Sequence, residues 1–286
     1  MRWATSSEGR PWQPTRRTFQ LTDEAFNLAV LEAGDRRRWM GGAMVVATLV
    51  VAVVLGLVHV FGGEIASMLA DTHHRWLSVG AGVTVAFVFL YLLPELEYLH
   101  HHLRDDPITG GIDEVIYVAA VVGVTLYYGL EHLAYRVRQR HREESEQDDA
   151  FGHDYVFWLH MGWYAVYNVI IGALLLHGEQ ETIRGLSLYA VAMAVHFLTI
   201  DTTMRRHHEH VYRRTGRWIL AAAVVGGWTL GAAAPVGVGL IALAMGFLSG
   251  GLLINAIKDE LPSSGRAKFF PFVVGVALFS AFAIVI

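Results

Sequence analysis

Apolar runs of about 20 residues recur along this chain, and no other feature limits its fold so strongly. A helix of that length crosses the ~30 Å of hydrocarbon in a bilayer. The runs lie near residues 40–62, 76–99, 114–135, 155–177, 185–204, 217–234, 236–257 and 269–286. Backbone polar groups in lipid must bond within their own segment, so every run is expected to be helical. Composition points the same way: 54% of the 286 residues are hydrophobic and only 17% charged, against about 25% charged in a soluble domain. The predicted fold is an all-α polytopic membrane bundle of eight transmembrane helices, in a multi-pass protein of the cell membrane. Cys is absent, which excludes disulfides, thiolate metal sites and Cys nucleophiles. The net charge of −4 says little, because local placement of Lys and Arg governs membrane proteins.

Residues 1–39 are polar and Arg-rich and read as a solvated tail. Thr22-Asp23-Glu24 could cap a short helix through "AFNLAVLEAG". The N-terminus has no apolar h-region, so no cleavable signal peptide is expected. The domain reading is therefore a tail over 1–39 and an eight-helix bundle over 40–286. Stretches such as "VGAGVTVA", "VVGGWTLGAAA" and "AMGFLSGG" supply the small residues that let helices approach closely in lipid. The loops after the first, third, fifth and seventh runs hold the larger share of the 22 Lys and Arg. By the positive-inside rule this turns both termini outward, although Arg36-Arg37-Arg38 argue the reverse.

Ionisable groups at membrane depth are costly, so each is a candidate for a pathway or a site. In "AVHFLTIDTTM", residues 194–204, His196 and Asp201 stand inside the fifth run. They point about 140° apart and differ by ~7.5 Å along the axis, which does not suit one small ion. Arg205 lies at i+4 from Asp201, the spacing of an ordinary helical ion pair at the membrane edge. Asn168 stands inside the fourth run, on the flank of a face formed by His160, Tyr164 and Tyr167. An interhelical hydrogen-bond seam explains that face as well as a ligand site does. Glu95, Glu97, Glu131 and His132 lie near span ends and read as solvated. Near water, "LHHHLRDD", "RHREESEQDDAFGHD" and "RRHHEH" carry His with carboxylates, a mixture suited to divalent first-row metals. His207, His208 and His210 in the last of these are candidates for loose metal capture. A charge-mixed solvated loop explains each cluster too. The His boxes of membrane di-iron oxygenases also share these residues, but they pair His at i+3 to i+5 in several places.

In order along the chain, these patterns resemble the ZIP (zinc/iron permease) family of divalent-metal transporters. The second run, "GAGVTVAFVFLYLLPELEYL", is similar to the family's Gly-rich helix ending in "HLLPE". The third, "VVGVTLYYGLEHLAYR", is similar to its helix ending in "LEH". "LGAAAPVGVGLIALAMGFLSGGLLINAIKDELP" resembles the tight turn and the end of the family's bundle. The family's fourth helix reads H-N-x-x-[DE]-G; here it is Tyr167-Asn168-Val169-Ile170-Ile171-Gly172. Its fifth reads H-E-x-P-[HE] and then an acid or Gly; here it is His196-Phe197-Leu198-Thr199-Ile200-Asp201. The resemblance implies metal ligation by Asn168, His196 and Asp201, with His160, Tyr164, Tyr167 and Thr199 lining the path. Three such groups could hold one Zn²⁺-like ion with water completing the shell.

The leading expectation is a ZIP-like carrier of a divalent metal ion, zinc, iron or manganese being the substrate, through one reduced intramembrane site. It is not expected to be an enzyme, and it needs the lipid bilayer and the metal ion as partners, with no nucleic acid; a homodimer is compatible. Ile, Phe and Tyr at ligand positions motivate an alternative: a relative that senses, assists or carries something other than a divalent ion. A His-cluster membrane metalloenzyme is the third reading.

Overall fold

The computed structural model describes residues 41–65, 73–102, 114–143, 149–177, 182–233, 236–260 and 268–286. The Arg-rich tail and its expected short helix lie outside them. Residues Ala47–Ile286 form one compact unit, and the first turns of the opening helix belong to the unit before it.

The described residues contain helices and no strand. Helix α1 covers residues 41–65. Helix α2 (His73–Phe87) passes through a π-helical turn, Val88–Leu92, into α3 (Leu93–His102). Then follow α4 (Val115–Glu143), α5 (Asp149–Leu174), α6 (Ile183–Val211), α7 (Arg217–Ala233), α8 (Val238–Glu260) and α9 (Phe269–Val285). A second π-helical turn, Tyr212–Gly216, joins α6 to α7. Six of the described helical stretches are long and apolar enough to cross a membrane. Large apolar side chains such as Val121, Leu230 and Leu278 face outward. That surface suits hydrocarbon rather than water.

Packing follows the small residues. Helices α2 and α9, α4 and α8, and α5 and α7 pack closely in pairs. In each, glycine lets two backbones touch: Gly82 lies on the Phe272 carbonyl, Gly123 on that of Phe247, and Gly172 on that of Val224. A Cβ at any of them would overlap backbone atoms. Close contact of this kind replaces the hydrophobic drive that lipid removes.

Contact order gives helix direction. Met161 meets Gly216, Val169 meets Gly227, and Ala173 meets Gly231, so α5 and α7 run parallel. Tyr189 donates to the Ile171 carbonyl, while Ile200 and Met204 share a core with Phe157 and Met161. Helix α6 is therefore antiparallel to α5, and so to α7. The chain reverses between Arg205 and Arg217, with the π-helical turn in the bend. This reversal carries Tyr212 back over α6. In a straight helix, Tyr212 would lie ~16 Å from Asp201; here the two are bonded.

Candidate functional site

The site begins at a residue that the sequence reading passed over. His59 lies in α1, within "VLGLVHVFGG", and its side chain is fully buried. Its Nδ1 is 2.8 Å from Asp201 Oδ1 on α6. Its Nε2 is 2.8 Å from Asn168 Oδ1 on α5. The ring stacks on Phe197, with centroids 4.2 Å apart. Tyr212, from the bend, donates its hydroxyl to the same Asp201 oxygen. Burial, and after it the Asp201 carboxylate, raises the Tyr212 phenol above its ordinary pKa. It therefore stays a donor. Three helices and the bend converge on one imidazole.

Glycine makes the room. A Cβ on Gly62 would sit 2.7 Å from Asp201 Oδ2, and one on Gly63 would overlap the Arg205 guanidinium. Asp201 and Arg205 thus lie against the Gly-Gly face of α1. The edge ion pair expected from their i+4 spacing is not the arrangement found. Asp201 is completely buried and bonds His59 and Tyr212 instead, with Arg205 acting on it only as a nearby charge. Asp201 Oδ2 is buried without a hydrogen bond.

Hydrogen-bond accounting fixes the protons. Asn168 Nδ2 lies 2.8 Å from the Tyr164 carbonyl, which can only accept. The amide must therefore turn its oxygen toward His59, and Nε2 must carry a proton. On the other side Nδ1 faces a carboxylate oxygen. The second contact needs a second proton, held on Nδ1 or on Asp201. The His59–Asp201 pair is then electrically neutral and holds one labile proton. That neutrality lets it rest in a medium where an isolated charge is very costly.

A similar pair, less completely buried, joins α5 to α4. His160 Nδ1 is 2.9 Å from the Val156 carbonyl, and Nε2 is 3.2 Å from Glu131 Oε1 on α4. Again one nitrogen is committed to an oxygen that can only accept, and the other shares a proton with a carboxyl group. The side chains are 7% and 19% exposed. The solvated reading of Glu131 gives way to a paired one. Glu95 also departs from it, being 2% exposed on α3, where that helix packs on α8. Glu97 keeps an exposed position and accepts from Tyr117 at 2.6 Å.

Of the three expected metal ligands, Asn168 and Asp201 meet, through His59. His196 is buried and lies within electrostatic range of His59, its ring centroid 6.3 Å from that of Phe197. Among the described residues no group of three or more His, Asp or Glu side chains forms a ready metal shell. Of the path residues, His160 and Tyr164 adjoin each other. Tyr167 turns to α8, donating to the Phe247 carbonyl at 3.2 Å. Thr199 bonds the Val195 carbonyl and faces Gly80 of α2. His207, His208 and His210 belong to the last turns of α6 rather than to a loop. His210 is exposed, and the side chains of His207 and His208 lie outside the described set. His59 had one legible signal: a single imidazole in an otherwise apolar run, three residues before Gly-Gly.

The architecture is that of a multi-pass helical membrane bundle with a buried polar centre. The chain matches no protein-family model and no curated protein.

Proposed function

We propose that this is an integral membrane protein with eight transmembrane helices and a ZIP-like plan, carrying protons through the centre formed by His59, Asp201 and Asn168. It is thus the altered-substrate relative among the three sequence readings. One observation carries this: both nitrogens of a buried imidazole face oxygen acceptors, so the centre already holds a transferable proton. Asn168 fixes one N–H, and Asp201 exchanges the other. The glycines of α1 leave Asp201 a flat wall, and Tyr212 holds it from the bend. Groups of this kind inside a membrane mark proton relays.

The test is proton flux into liposomes holding the purified protein and a trapped pH dye, under an imposed potential. Wild type should acidify the lumen, and Asp201→Asn and His59→Gln should abolish that flux. Equal flux in wild type and both variants would refute the proposal.

A second reading, carriage of a divalent metal, is favoured by the unbonded Asp201 Oδ2 and by His196 nearby. The same vesicles with a metal-sensitive dye decide it. Zinc or manganese entry lost in His196→Ala would establish this reading, and no entry in wild type would end it.

A further inference from the structure

The pair Glu131–His160 lies outside the centre, yet repeats its bonding. We infer that it is the relay station through which protons pass between the His59–Asp201 centre and the membrane face at which α4 ends and α5 begins; the inference rests on the proton-carrying reading above. Position supports this first. His160 and Asn168 are eight residues apart on α5, or ~12 Å along its axis. Glu131 and His160 occupy the halves of α4 and α5 nearest the segment that joins those helices. Glu131 stands ~9 Å of helix before Val137, the end of its span, and is not fully enclosed by the bundle.

Connection supports it second. Tyr164 lies between the two pairs: its ring is 6.3 Å from that of His160, and its carbonyl holds the Asn168 amide. Tyr212, bonded to Asp201, shares one buried cluster with Tyr164, Phe157, Met161 and Tyr127. The Tyr164 ring beside His160 and the Tyr212 hydroxyl on Asp201 thus bring a phenol to each pair from one shared cluster. Among the described residues, Glu131 from α4 and Tyr164 on its own helix are titratable groups that adjoin His160. Each phenol can accept one proton and release another without net charge.

The step at the station balances simply. The Nε2–H bond of His160 breaks as an O–H bond forms on Glu131 Oε1, turning imidazolium and carboxylate into imidazole and carboxylic acid. Glu131 then releases the proton to water, and Nε2 accepts the next from the inner side. No electron moves. Nε2 has one in-plane site and it faces Glu131, so the ring swings about its side-chain bonds between taking a proton on the inner side and giving it to Glu131, leaving and regaining the Val156 carbonyl in each cycle.

The deciding measurement is proton flux in the same liposomes across a range of lumenal pH. Glu131→Gln should lower flux about a hundredfold and flatten its pH profile, as Asp201→Asn abolishes it. His160→Gln should act like Glu131→Gln and serves if the first variant does not fold. His132→Gln, next in sequence but exposed, should match wild type. Wild-type flux and pH profile in Glu131→Gln or in His160→Gln, with Asp201→Asn inactive, would remove the station while sparing the centre. Absence of flux in wild type would overturn both.

Discussion

Two histidine–carboxylate pairs use the same bonding with different burial. His59–Asp201 joins residues 142 apart in sequence, and both side chains are fully buried. His160–Glu131 joins residues 29 apart and keeps some exposure. In each, an oxygen that only accepts fixes one ring N–H. For His160 the fixing oxygen is on its own helix, one turn back, and comes with the helical backbone. For His59 it is an amide on another helix, itself oriented by the Tyr164 carbonyl. The fully buried pair needs three helices and a bend to assemble, the partly exposed one only two neighbouring helices. Burial therefore changes how much structure is required, while the bonding pattern stays the same.

The largest test of this comparison is removal of each carboxylate. Asp201→Ala leaves a buried imidazole without its partner, at a cost of about 3–5 kcal/mol. Glu131→Ala leaves the less completely buried His160 Nε2 without its partner and should cost less, about 1–3 kcal/mol. Unfolding midpoints in detergent micelles would measure both. Equal losses would mean that the pairs do not differ in burial as described.

Asn168→Leu comes next. It takes the acceptor from His59 Nε2, leaving a buried N–H unsatisfied, and releases the Tyr164 carbonyl from its amide. The expected cost is about 1–3 kcal/mol. No single side-chain substitution can do the same at His160, because the Val156 acceptor is backbone. A neutral Asn168→Leu would dissolve the contrast between a built and an inherited acceptor.

The long apolar runs were legible because a bilayer demands length and continuity, and α4 through α6 lie close to where those runs fell. Asn168 and Asp201 stood out because amide and carboxylate groups are rare at that depth. His59 was equally rare, but a helical period in α1 cannot reveal a partner 142 residues away. Asp201 was read with Arg205 because i+4 is the only contact that local spacing offers; the actual partners come from α1 and the bend. The two π-helical turns left no periodic signal either. Tyr212 falls in a polar, Arg-rich segment that reads as a loop, and only the reversal of α6 into α7 brings it to Asp201. Glu131 and Glu95 were placed in water by nearness to span ends, a rule that ignores what α5 and α8 set beside them.

The smallest test uses the glycine nearest each pair. Gly62 precedes the end of α1 and faces the fully buried pair, where an added Cβ would meet Asp201 Oδ2 at 2.7 Å and Leu198 Cδ2 at 3.2 Å. Asp201 cannot easily yield, since two hydrogen bonds hold its other oxygen. Gly62→Ala should therefore cost about 1 kcal/mol, the lower end for overpacking, and reduce proton flux by shifting Asp201 from His59. Gly129 stands two residues from Glu131 on α4, and a Cβ there meets nothing within 4 Å. Gly129→Ala should be neutral or stabilise by up to ~1 kcal/mol through helix propensity, with flux unchanged. Thermal midpoints and flux from the two variants, measured side by side, read the space around each pair. A Gly62→Ala protein as stable and active as the Gly129→Ala protein would show that the wall of α1 does not hold Asp201 in place.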